Sequence, residues 1–184
     1  LQWDAESPDL VSRMMADLDT LEAQGWVISG AVILAGSFPE APFGTWTAEA
    51  LEATWRLNLS FPFLCAQALA PRMPEGSCLQ VVLDTSIHRP WLQRLPYSAA
   101  KAGLASLVPG LAQLLAPEVR VVGHALGVLL PQEGSDAAWL GSRTLLNRIG
   151  DPADLCRAVR FAAESPFLTG EILTQDGGRR WIDR

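Results

Sequence analysis

Along the chain, short apolar runs alternate with stretches of helical periodicity. Residues 8–24 bring Leu10, Val11, Met14, Met15, Leu18 and Leu21 to one face, the spacing of an amphipathic helix. Ser7 and Asp9 are candidate caps for it, and Gly25 is its stop signal. Residues 26–35 are almost wholly apolar and read as a buried strand that should be central in a sheet. A loop over 36–47 carries Pro39, Pro42 and Gly44. A long helix is predicted over 48–69, kinked at Pro62 and ended by Pro71 and Pro74. Residues 79–83 form a second strand that ends at Asp84-Thr85-Ser86. Residues 97–116 form a helix interrupted at Pro109-Gly110, and 119–125 a third strand. Residues 127–142 read as irregular. A helix over 152–163, capped by Asp151, precedes a last strand over 171–174 and a turn at Asp176-Gly177-Gly178.

Alternating strands and helices predict an α/β fold with a parallel sheet, formed by residues 1–184 as one domain. In such sheets ligands gather beyond the carboxyl ends of the strands. Chemistry is therefore expected at Gly36, Ser37 and Phe38, at Asp84, Thr85 and Ser86, and at Leu126 and Gly127.

Composition narrows the function. The 49% hydrophobic content suits a doubly covered parallel sheet, with further apolar surface hidden in a homo-oligomer. A net charge of -6 with no basic run argues against nucleic acid as a partner. No apolar run reaches membrane-spanning length, and no membrane partner is expected. Cys65, Cys78 and Cys156 are odd in number, lack a CxxC spacing and fit a reducing, cytoplasmic setting. His88 and His124 cannot build a histidine-rich metal site, and no metal is expected.

The chain's one tyrosine lies four residues before the one lysine among its 14 basic residues, as Tyr97-Ser98-Ala99-Ala100-Lys101. On a helix this spacing stacks phenol and ammonium on one face. The ammonium is expected to draw the tyrosine pKa down from about 10, making a proton donor and acceptor usable near neutrality.

Four segments in order resemble the short-chain dehydrogenase/reductase family: LNLSFPFLCAQALAP around Asn58, YSAAKAGL from Tyr97, VRVVGHALG at 119–127, and RIGDPADL with FLTGEILTQDGG near the end. The resemblance implies a Rossmann-type doubly wound sheet and hydride transfer between a nicotinamide nucleotide and a small-molecule substrate as the expected partner. It makes Tyr97 the proton donor, Lys101 its pKa-setting and ribose-holding partner, and Asn58 the anchor of a water in the proton relay. Ala35, Gly36, Leu126, Gly127 and Leu129 would contact the cofactor together with Tyr97 and Lys101, and Asp4 would sit on its adenine side.

The family's serine, thirteen residues before the tyrosine, is Asp84 here. The pteridine reductase branch has an aspartate at that place, followed by an Arg-Pro that matches Arg89-Pro90. ILAGSFPEAPFG at 33–44 resembles that branch's substrate loop, with Phe38 where its stacking aromatic stands; VLLPQEG and AESPFLTGEIL also resemble it. The implied enzyme is an NADPH-dependent pteridine reductase-like protein, with NADH as the other cofactor choice. Phe38 and Ser37 would line the substrate site with Asp84 and Tyr97. Thr85 or Ser86 could fill the serine role instead of Asp84. A carbonyl or 3-oxoacyl thioester reductase and a non-catalytic oligomerising homologue are the alternatives.

The sequence departs from the family in several places. No glycine-rich phosphate loop is present, so the N-terminal strands of the doubly wound sheet are expected to be missing and the natural protein to be longer. The family's Asn-Asn-Ala-Gly reads Ile33-Leu34-Ala35-Gly36, and its Pro-Gly reads Leu126-Gly127. A dimer or tetramer is expected, through the two long helices.

Overall fold

The computed structural model describes residue 7 and residues 9–131 and 134–182. Helix α1 spans Leu10–Ala23 and buries Leu10, Met14 and Leu18, the predicted stripe. Asp9 occupies its N-cap without a side-chain bond to the helix, and Gly25 follows its end at φ +83°. The apolar run that follows yields only a four-residue strand, β1 (Gly30–Ile33).

The predicted long helix is α2 (Ala48–Trp55), a π-helical turn (Arg56–Ser60) and α3 (Phe61–Leu69). Thr47 caps α2 by accepting from the Ala50 amide at 3.2 Å. Pro62 has no N–H for the Asn58 carbonyl, and the widened turn before it accommodates that loss. Strand β2 (Ser77–Asp84) follows. Helix α4 (Leu95–Leu115) starts two residues earlier than expected and runs through Pro109 without a break. Pro109 is solvent-exposed, so the one ladder bond it removes is not left in the core.

Strand β3 is Val119–Leu126. The segment expected to be irregular contains a short helix, α5 (Ala137–Ser142), whose cap Asp136 accepts from the Ala138 and Trp139 amides at 2.8 and 3.0 Å. Helix α6 (Pro152–Glu164) begins at a capping box between Asp151 and Asp154, and β4 is Ile172–Gln175.

The strands form one parallel sheet in the order β1-β2-β3-β4. One face carries Leu79, Val81, Leu83, Val121 and Ala125 into the main core with α1, α3 and α4. The opposite face carries Cys78, Val122 and Leu173 to Ala162 of α6. This is the expected Rossmann-type α/β arrangement. The first strand differs from expectation in place: β1 is an edge among the described residues. Val27 and Leu34 beside it are 70% and 60% exposed, so its apolar run is uncovered there.

Candidate active site

The carboxyl ends of β1, β2 and β3 open onto a cleft of about 510 Å³. Gly36, Ser37 and Phe38 reach it from the loop after β1, and Asp84 from the end of β2. Tyr97 and Lys101 enter from α4, Asn58 from the π-helical turn, and Leu126, Gly127 and Leu129 from the end of β3 and beyond. Most residues singled out in the sequence therefore share one cavity. Ala35 does not line it; it packs half-buried against the core. Asp4 lies outside the described residues. Thr85 and Ser86 are buried behind Asp84 and do not line the cleft, so the carboxylate is the polar group that β2 presents there.

Tyr97 is buried, and its pKa is raised first by burial and then by the charge of Asp84 and a hydrogen bond with it; Arg94 opposes them weakly. This reverses the expected depression by Lys101. The lysine Nζ lies 5.8 Å from the Tyr97 ring centroid and donates to the Val82 carbonyl at 3.1 Å. Its own pKa is pushed down to about 8 by burial, against the attraction of Asp84. The helical spacing does stack the pair, but both lie under the end of β2, where loss of water disfavours phenolate and ammonium alike.

Asn58 is fully buried. Its Nδ2 donates to the Thr54 and Ser37 carbonyls at 3.0 and 3.1 Å and to the Ser37 hydroxyl at 3.2 Å. Its Oδ1 has no hydrogen-bond partner. A Cβ placed on Gly36 would fall 2.9 Å from that oxygen and 3.5 Å from the Lys101 Nζ. The Gly36 backbone thus packs directly against a buried acceptor that has no partner, with a cationic donor beside it, and such an orphaned acceptor calls for a partner. At Gly127 a Cβ would meet the Asp176 Cα at 2.8 Å, so only glycine allows the turn to pass there. These features fit the nicotinamide and ribose end of a dinucleotide. Among the described residues no cluster of His, Cys, Asp or Glu could hold a metal ion.

Two residues of the site carried no motif. Trp91 donates its indole Nε1–H to Asp84 Oδ1 at 3.0 Å, and its backbone N–H to the Ser98 hydroxyl at 3.1 Å. Arg94 lies over the Phe38 ring, 3.8 Å from its centroid, paired with Glu40 and the Phe38 carbonyl. The turn that carries Trp91 depends on tertiary contacts, so no spacing rule pointed to these side chains. Leu34, where the family has asparagine, lines the cleft instead of supplying polar contacts.

The family model described as enoyl-(acyl carrier protein) reductase matches residues 1–180. A short-chain dehydrogenase/reductase of Arabidopsis thaliana is 31% identical over 137 residues, covering 70% of this chain and 54% of its own length. Dihydromonapterin reductase of Citrobacter koseri is 28% identical, covering 76% of this chain and 61% of its own. The chain thus spans little more than half the length of several curated relatives it matches. A solved dehydrogenase/reductase from Sinorhizobium meliloti superposes with a TM-score of 0.87 at 26% identity, covering 97% of this chain and 73% of its own. No described helix is long and apolar enough to cross a membrane.

Proposed function

The chain belongs to the short-chain dehydrogenase/reductase family, and we propose that it is the catalytic half of an NAD(P)H-dependent, pteridine reductase-like enzyme. The observation that carries the reading is Asp84 facing Tyr97 in a cleft where Lys101 and the unpaired Asn58 oxygen converge. Gly36, Asn58, Lys101 and Gly127, flanked by Leu126 and Leu129, would hold the nicotinamide end of the cofactor. When bound, that group supplies the hydride. NADPH is taken from the resemblance to the pteridine branch, with NADH as the alternative.

Tyr97, held protonated by burial and by Asp84, donates its proton to the substrate atom that gains electron density. The resulting phenolate is stabilised by the Lys101 ammonium, and Asn58 orders the path by which a proton returns. A ring nitrogen needs a protonation partner, and a carboxyl beside a phenol supplies one. Phe38 and Ser37 bound the substrate. The relative named dihydromonapterin reductase supports a pterin-type ring. Cytoplasmic residence agrees with the three free cysteines, and assembly as a dimer or tetramer with the exposed Leu114 and Phe167.

A second reading, reduction of a carbonyl such as a 3-oxoacyl thioester, is favoured by the apolar Leu34, Leu126, Leu129 and Leu130 on the cleft wall. Asp84→Ser separates the two: it abolishes reduction of a dihydropterin and spares that of a 3-oxoacyl thioester if the first reading is right. If both activities survive, the role of Asp84 is wrong. Tyr97→Phe abolishes turnover in either enzyme; an oligomerising homologue without activity would show no turnover to lose.

A further inference from the structure

Trp91 has no assigned role, yet it is fixed on four sides. Its backbone N–H is tied to the Ser98 hydroxyl of α4 at 3.1 Å. Its ring meets Phe38 edge to face, with centroids 6.0 Å apart. The Arg179 guanidinium lies over the indole, 4.1 Å from a ring centroid. Its Nε1–H, held by these contacts, points at Asp84.

Asp84 receives two bonds on the same oxygen: the Ser86 amide at 2.6 Å and the Trp91 indole at 3.0 Å both donate to Oδ1. An ionised carboxylate has a second oxygen with the same accepting capacity. With Oδ1 engaged twice, Oδ2 is left for the phenol and for substrate.

We propose that Trp91 is a positioning residue for Asp84: it pins Oδ1, fixes the carboxyl rotamer toward Tyr97, and closes the substrate cleft with Phe38. Arg179, from the one-turn helix Arg179–Trp181, braces the indole from outside the cleft. A cation over an aromatic face withdraws electron density from the ring, which strengthens the N–H as a donor. The bond from Trp91 to Asp84 is charge-assisted and therefore stronger than a neutral pair. The charged and titratable groups around the carboxylate are Tyr97, Lys101 and Arg94 on the cleft side and Arg179 behind the indole. The proposal rests on Asp84 serving with Tyr97 in proton transfer.

Its test begins without turnover. In a nitrogen–proton correlation spectrum of the whole chain, the signal lost in Trp91→Phe identifies the Trp91 indole. It is expected downfield of ordinary indoles because it donates to the Asp84 carboxylate, and Asp84→Asn is expected to move it back upfield. An indole signal indifferent to Asp84→Asn overturns the proposal. Proximity of the wild-type indole to the Phe38 ring assigns the same signal independently, so poor folding of Trp91→Phe does not end the test. Turnover is the second arm: Trp91→Phe, which keeps the ring, lowers kcat about tenfold with KM little changed and shifts the acid limb of the pH profile. Trp91→Phe with unchanged kcat and pH profile overturns it as well. A downfield indole signal in a wild-type chain with no reductase activity contradicts the reductase reading and leaves the Trp91–Asp84 pairing in place.

Discussion

The Phe38 and Tyr97 rings meet edge to face with centroids 4.7 Å apart, one from the loop after β1 and the other from the first turns of α4. Phe38 thereby excludes water from the phenol whose pKa burial raises. Phe38→Ala is expected to bring the Tyr97 pKa back toward its ordinary value. The chain has one tyrosine, so alkaline titration of phenolate absorbance reads it directly. Phe38 is half-buried, so the stability loss should be about 2 kcal/mol, below the ~3–5 of a fully buried phenylalanine.

Lys101 should cost stability. Its pKa is about 8 in the fold against 10.5 in the unfolded chain, because burial penalises the ammonium. Between those values the unfolded state binds more protons, so the lysine's contribution makes stability rise with pH across that window. At neutral pH the cost is fully present. Lys101→Met is expected to raise the unfolding free energy read from urea curves at pH 7 by roughly 1–3 kcal/mol, while removing activity. A destabilised Lys101→Met would mean that the bond to the Val82 carbonyl outweighs the desolvation of the charge.

His124 gives the opposite edge of the pH profile. It is fully buried on β3, 2.7 Å by Nε2 from Gln80 Oε1, and the Gln80 amide nitrogen donates to the Val159 carbonyl at 3.2 Å. Nε2 must therefore carry the proton, and Nδ1 faces the Gln175 amide nitrogen at 3.5 Å, itself a donor. A second proton has no acceptor, and burial lowers the pKa below 6.5. Stability from this site is present above pH 6.5 and is lost as pH falls toward the folded-state pKa. His124→Gln is expected to flatten that acid limb, by on the order of 1 kcal/mol, in unfolding curves measured between pH 5 and 7.

Gly127 is a steric requirement independent of any ligand. Gly127→Ala drives a methyl group onto the Asp176 backbone. Backbone cannot swing aside as a side-chain tip can, so a loss of about 1–3 kcal/mol is expected in thermal or urea unfolding. An unchanged midpoint would show that the turn after β3 yields freely.

Much of the site was legible because it is written in fixed spacings. Four residues on a helix place Lys101 below Tyr97, and the thirteen-residue interval to Asp84 needs no gap. What the spacings could not convey is solvent: Tyr97 and Lys101 are both buried, so the phenol is raised where the sequence argued for lowering. Trp91 was illegible because its bond to Asp84 depends on how the turn after β2 folds over Phe38. In the fold, the apolar run at 26–35 announced a strand, but pairing with β2 alone orders just Gly30–Ile33. Pro109 signalled a break that an exposed position on a long, well-packed helix does not enforce.

The most direct test of the account is a calorimetric titration of NADPH into this chain, repeated with Gly36→Val. The valine would collide with Asn58 Oδ1 and crowd Lys101 Nζ. The chain has no glycine-rich phosphate loop, so weak binding to the wild type, lowered about tenfold or more by Gly36→Val, is the predicted result. Equal binding by both proteins would contradict a nicotinamide site between Gly36, Asn58 and Lys101.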